Sequence, residues 1–155
     1  MNSHEKDNEK QNIVLYFQVH QPRRLNAVNF FDLPNGPPYF NDKLNESIFR
    51  RVARDCYVPA NELLEKLIAE IPGIKITFSL SGVVLEQLQS YAPEALDSFR
   101  RLAKTGAVEF LGETYFHSLA SLANGEEFEV QVFQHAEKLF ELFGVRPLVF
   151  RNTEL

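Results

Sequence analysis

One cysteine, no tryptophan and no long apolar run set the first limits on this 155-residue chain. The lone thiol, Cys56, has no partner for an internal disulfide and cannot build a multi-cysteine metal site. Without tryptophan, no indole stacking platform for a ligand comes from these residues. No apolar stretch approaches the roughly 18 residues that suggest a membrane span. Residues Met1 to Gln11 form a polar, charged leader with no apolar stretch of the secretory kind. The net charge of −5 spreads along the chain, and no basic cluster offers a face to nucleic acid. These absences predict a soluble, cytoplasmic protein with neither nucleic acid nor membrane as partner. Nothing in the sequence sets the oligomeric state.

What is present is apolar material for one core: 45% hydrophobic residues, with 14 Phe. Four short β-rich runs alternate with helical patterns. The first, Ile13 to Val19, is nearly continuous in apolar residues, as for a strand buried on both faces. A stretch rich in Pro, Asn and aromatics, from Gln21 to Asn41, has no helical period and reads as a long loop. Phe49, Val52, Ala53 and Cys56 share one face of a helix over Asn45 to Cys56. Pro59 opens a second helix with a stripe of Leu63, Leu64, Leu67, Ile68 and Ile71.

The second strand is Ile74 to Leu80, followed by helices around Val84 to Leu88 and from Pro93 to Ala103. Gly106 fits a left-handed helix end. The third strand runs from Ala107 to Leu111. A long helix carries Phe128, Val132, Ala136, Leu139 and Phe143, ends at Gly144, and precedes a fourth strand, Leu148 to Phe150. This β/α alternation predicts parallel strands with right-handed crossovers, in an open sheet or part of a barrel. Polar residues follow each strand, at His20, Ser79 and Ser81, Glu113, and Arg151 to Glu154. That distribution favours a barrel, whose site gathers at the C-terminal strand ends. The chain stops a few residues into the loop after the fourth strand and so reads as an incomplete domain.

Three segments could carry chemistry. His20, with Gln21 and Pro22, could bond a ligand hydroxyl, bind a metal, or be satisfied by nearby backbone. In Gly106 to Leu119, alternation places Glu109, Leu111 and Glu113 on one face. Carboxylates turned inward are costly unless paired, so they mark either a site or a structural ion pair. Near the end, Arg151 could keep Glu154 ionised, or both could be surface residues. His4 and His135 read as structural, and Cys56 as core. Phe30, Phe31, Tyr39 and Phe40 could stack on sugar rings or pack locally.

Together, His20-Gln21-Pro22, Gly106 to Glu109 continuing through Glu113 to Leu119, and Phe150 to Leu155 resemble the first three conserved regions of glycoside hydrolase family 57. They occur in the family's order and with similar spacing, closest to its α-amylase-like members. The resemblance covers Ile13 to the end. It implies a retaining enzyme acting on α-glucans, either hydrolysing or transferring, with no cofactor and no obligatory metal. The implied architecture is the first part of an incomplete (β/α)7 barrel over residues 12–155, preceded by the 1–11 leader.

By the same resemblance Glu154 is the nucleophile, while His20, Glu109, Glu113, His117 and Gln21 bind substrate. The family's general acid/base, an Asp in a fourth region, has no counterpart here, so the isolated chain is expected to be inactive. Two alternatives differ in class. One is a carbohydrate-binding remnant without turnover. The other is a metal-dependent polysaccharide deacetylase, for which no ligand pair here has convincing metal spacing.

Overall fold

A computed structural model of the chain describes residues 13–31 and 36–153. Three parallel strands form one sheet in chain order: β1 (Leu15–Val19), β2 (Ile76–Leu80) and β3 (Val108–Phe110). Leu15 pairs with Ile76 and Val19 with Leu80, while Ile76 also pairs with Val108 and Phe78 with Phe110. This register sorts the side chains into two faces. Phe17, Val19, Ile76, Phe78, Leu80, Val108 and Phe110 share one, and Tyr16, Gln18, Thr77, Ser79 and Glu109 share the other.

Helices cover the apolar face. They are α1 (Asp42–Val52), α2 (Val58–Glu70), α3 (Gly82–Tyr91), α4 (Pro93–Lys104) and, after a short α5 (Ala120–Ala123) that packs on it, α6 (Gly125–Phe143). Phe78 meets Phe99 of α4 edge to face at 5.4 Å, and Phe110 stacks on Phe143 of α6 at 4.7 Å. Such aromatic pairs add roughly 0.5–1.5 kcal/mol each beyond the area they bury. The core is completed by Phe49, Leu64, Leu85, Leu88, Leu102 and Leu139.

Local chemistry explains the helix ends. Asn41 caps α1 by accepting from the Leu44 amide, and Ser81 caps α3 through the Val84 amide. Asn124 caps α6 ahead of Glu126 and Glu127, which suit the positive end of the helix dipole. Gly144 closes α6 in the left-handed conformation, φ 71°. Between α1 and α2 the chain does not break but widens into a π turn, Ala53–Tyr57. Pro59 lacks an N–H and its ring crowds the carbonyl four residues back, on Asp55. The wider turn, closed by the Val58 amide on the Ala53 carbonyl, absorbs that mismatch without ending the helix.

Several sequence expectations change. The first strand is an edge strand, and of its residues only Val19 is buried, so its apolar run does not mark burial on both faces. The fourth strand is reduced to a single parallel bridge between Gly112 and Phe150, with hydrogen bonds from the Gly112 amide to the Val149 carbonyl and from the Arg151 amide to the Gly112 carbonyl. Cys56 is exposed, not core. Within the expected long loop, Leu25 and Phe40 form an antiparallel bridge, and Asn45 ties the loop to α1 through the Arg24 backbone. Among the described residues no helix is long and apolar enough to cross a membrane.

Candidate active site

The polar face of the sheet leads at its C-terminal end to a hydrogen-bonded cluster. Ser79, near the end of β2, donates to Glu113 Oε1 at 2.8 Å. Glu113 Oε2 lies 2.8 Å from His117 Nδ1, and His117 Nε2 lies 3.1 Å from the Gln18 side-chain nitrogen of β1. His20, just past β1, stacks on His117 with ring centroids 4.2 Å apart. Strands β1 and β2 and the loop that follows β3 thus supply this cluster. Glu113 is 1% exposed, so its carboxylate is sustained by these partners and not by water.

The loop from Gly112 to Ser118 is shaped from below by α6. The Glu113 amide donates to His135 Nδ1 at 3.3 Å, and His135 Nε2 donates to the Leu80 carbonyl at 2.8 Å. One ring nitrogen accepts and the other donates, so His135 is the neutral tautomer with its proton on Nε2. One turn earlier, Gln131 accepts from Ser118 Oγ at 2.7 Å. Within the loop the Thr114 carbonyl accepts from the His117 amide, and His117 takes φ 55°. Left-handed backbone is uncommon for a non-glycine residue, and here side-chain contacts to Gln18 and Glu113 accompany it. The Tyr115 ring lies over Gly82, where a Cβ would come within 2.5 Å of the ring, so only glycine fits beneath it.

The segment after Phe150 docks on this loop. Thr153 is buried, with its hydroxyl 2.9 Å from Thr114 Oγ1 and 3.1 Å from the Ser118 carbonyl. The Arg151 guanidinium lies over the Tyr16 ring at 5.3 Å and donates to the Thr153 carbonyl. Glu154 lies outside the described residues.

His20 has its protonation shifted. Burial first, then the adjacent His117, lowers its pKa from 6.5, against a smaller raising effect of Glu113. Ser81 Oγ accepts from the Val84 amide and lies 2.7 Å from His20 Nδ1, a contact in which either the hydroxyl or the ring N–H can donate. With Ser81 as the donor to Nδ1, a neutral His20 carries its own proton on Nε2, available to a ligand oxygen. Burial also lowers the pKa of His135, opposed by its bond to Leu80 and by Glu113.

For both rings the unfolded chain binds protons more readily than the folded one. Stability is therefore whole above the unfolded pKa near 6.5 and falls as pH drops from there toward the lower folded values. The urea midpoint is expected to be higher at pH 7.5 than at pH 5.5, and His135→Gln is expected to flatten that difference. Equal midpoints in the parent protein would contradict the assignment.

Of the sequence candidates, the structure brings His20, Glu113 and His117 together. Glu109 is exposed on β3, paired with Thr77 and so two residues short of the level of Ser79 on the neighbouring strand. It opens onto another cleft, of about 350 Å³, shared with Lys75 and Arg146. Gln21 turns toward the helices: its side chain bonds Tyr57 and Arg24, and its carbonyl accepts from Gln87. Gln18, Ser79 and His135 complete the cluster. His135 and Gln131 sit on the buried stripe of α6 with Leu139, and two polar residues on such a stripe were the readable signal. Among the described residues no group of three His, Cys, Asp or Glu is arranged to hold a metal ion.

A family model for glycosyl hydrolase family 57 matches residues 14–155. An α-amylase candidate of Methanocaldococcus jannaschii is 43% identical over 145 residues. That alignment covers 92% of this chain but 31% of the relative, so the chain spans about a third of that protein's length. Among solved structures, the 4-α-glucanotransferase of Thermococcus litoralis matches with a TM-score of 0.61 at 22% identity, over 86% of this chain and 17% of that one. A family 57 branching enzyme of Thermococcus kodakaraensis matches with a TM-score of 0.64 at 14% identity, over 91% of this chain and 32% of that one. The structural matches establish a shared α/β fold, and the family model assigns the sequence: this chain belongs to glycosyl hydrolase family 57.

Proposed function

We propose that residues 12–155 form the first part of the (β/α)7 catalytic barrel of a cytoplasmic α-glucan-active enzyme, which cleaves α-1,4-glucosidic bonds with retention and passes the sugar to water or to another glucan. The observation that carries this reading is the Ser79–Glu113–His117–Gln18 chain with His20 stacked on it, at the C-terminal strand ends where such folds do their chemistry. A neutral His20 donating from Nε2 suits a sugar hydroxyl. Glu113, bound on both oxygens, acts through His117, which it orients.

In the proposed reaction Glu154 attacks the anomeric carbon as the bond to the leaving oxygen breaks, and a second carboxyl protonates that oxygen. Water or a sugar hydroxyl, deprotonated by the same second group, then displaces Glu154. We assign that second carboxyl to a part of the family domain outside these 155 residues. The separate chain is accordingly expected to show no turnover.

The test joins this segment to the remaining two-thirds of the M. jannaschii relative and follows maltooligosaccharide cleavage by proton NMR. First-formed α-anomeric ends from the chimera, with none from residues 1–155 alone, are the expected result. First-formed β-anomers, or turnover by the short chain, would contradict the proposal.

A further inference from the structure

Beside the cluster, and sharing His20 with it, lies a cleft of about 470 Å³ whose other walls include Arg23, Phe40, Val83, Glu86 and Phe116. Its volume falls within the roughly 300–1,000 Å³ of small-molecule sites. We propose that this cleft binds a neutral glucosyl unit of the substrate chain, next to the sugar held at His20. The proposal rests on the α-glucan reading above and extends it to how a longer substrate is gripped.

The chemistry of the walls selects the ligand. Arg23 Nη2 lies 2.6 Å from Glu86 Oε2, and the Tyr115 hydroxyl donates to Glu86 Oε1 at 2.9 Å. The two charges neutralise each other, so the cleft makes no demand for an ionic ligand. Both side chains remain about a third exposed, so guanidinium donors and carboxylate acceptors stand side by side at the surface. Vicinal sugar hydroxyls, each both donor and acceptor, match that pairing.

Phe40 and Phe116 are 41% and 51% exposed, and they supply apolar surface for the C–H face of a pyranose. The Phe40 ring is also held under Arg23 at 5.4 Å. The platform is therefore arranged before any ligand arrives, which lowers the ordering cost of binding. Val83 closes the floor, being 9% exposed at the start of α3. Continuity through His20 fixes the occupant as the unit adjoining the reacting sugar, not an independent ligand.

The test is a titration of the isotopically labelled 155-residue chain with maltose, maltotriose and glucose 1-phosphate, read by amide NMR. Maltotriose is expected to shift the amides of Arg23, Val83, Glu86 and Phe116. Phe116→Ala and Arg23→Gln are each expected to weaken its binding about fivefold, while Phe133→Ala, an exposed aromatic on α6 that is not among the cleft's lining residues, leaves it unchanged. Shifts confined to Gln18, Ser79 and His117, with Phe116→Ala binding as the parent does, would overturn the subsite and leave the α-glucan reading standing. Glucose 1-phosphate binding tenfold tighter than maltose would overturn the neutral-sugar assignment. No shift by any sugar on the folded chain would also overturn the subsite, whereas the α-glucan reading stands or falls on the chimera's turnover.

Discussion

Glu154→Gln, placed in the chimeric full-length barrel, is expected to slow maltooligosaccharide cleavage on the order of 10⁴-fold while leaving the Michaelis constant within a few fold. An amide of the same shape still fills the site but cannot form the glycosyl ester on which retention depends. The effect should fall on the chemical step, because the substitution removes an interaction made as the anomeric bond breaks and little that binds the ground state. Thr153 is 2% exposed and bonds both Thr114 and the Ser118 carbonyl, which anchors the chain at that residue to the Glu113–His117 loop. Rate measurements on starch and maltoheptaose check this, and a loss under tenfold would remove Glu154 from the nucleophile's role.

The second large effect is at Glu113. Glu113→Ala is expected to destabilise the chain by about 3 kcal/mol, since it strips partners from a buried carboxylate site and leaves a cavity. Ser79, 0% exposed, would lose the acceptor for its hydroxyl, and His117 would lose the partner of its Nδ1. Glu113→Gln separates packing from orientation. It keeps the volume and one acceptor oxygen, but its NH₂ group must face either the Ser79 hydroxyl or His117 Nδ1. The urea midpoint of the Gln variant should fall by less than half as much as that of the Ala variant. The downfield His117 Nδ1 proton signal should vanish or shift in both. An Ala variant as stable as the parent would show that the cluster contributes nothing to holding the loop.

Much of this arrangement was legible in the sequence because periodicity reports burial. The stripe Leu96, Phe99 and Ala103 in α4, and the run Ile74 to Leu80, signalled elements whose apolar faces needed one another. Gly106 and Gly144 marked helix ends because their positive φ is the backbone that glycine takes at least cost. The edge position of β1 was not legible: apolar content says what a strand could bury, not whether a neighbour arrives to cover it. The shortening of Leu148 to Phe150 to one bridge likewise depends on pairing partners that lie far away in sequence. The π turn depended on how a helix accommodates Pro59, which sequence read as a fresh start.

Motif and position made His20, Glu113 and His117 candidates, and the structure places them side by side, which needs only that strand ends converge. Ser79, Gln18 and His135 were harder. Their types are common, and their value comes from the atoms they meet: a carboxylate oxygen, an imidazole nitrogen and two backbone groups on different elements. Gln21 shows the reverse. It belongs to the motif that resembles the family's first region, yet its amide is spent on Tyr57 and Arg24. We propose that its part in binding is to hold the loop that carries His20. Glu109 shares the polar face with Ser79 but stands too far along β3 to join the cluster.

The most direct test of the account is to trap the covalent sugar. In 5-fluoro-α-glucosyl fluoride the leaving fluoride needs no proton, and the ring fluorine slows loss of the sugar from the enzyme, so the ester accumulates on whichever carboxylate attacks. The chimeric barrel would be treated with this reagent, digested and mapped by mass spectrometry. The account predicts a single added fluoroglucosyl group on Glu154. A label on Glu109 or Glu113, or turnover with no labelled carboxylate, would contradict it.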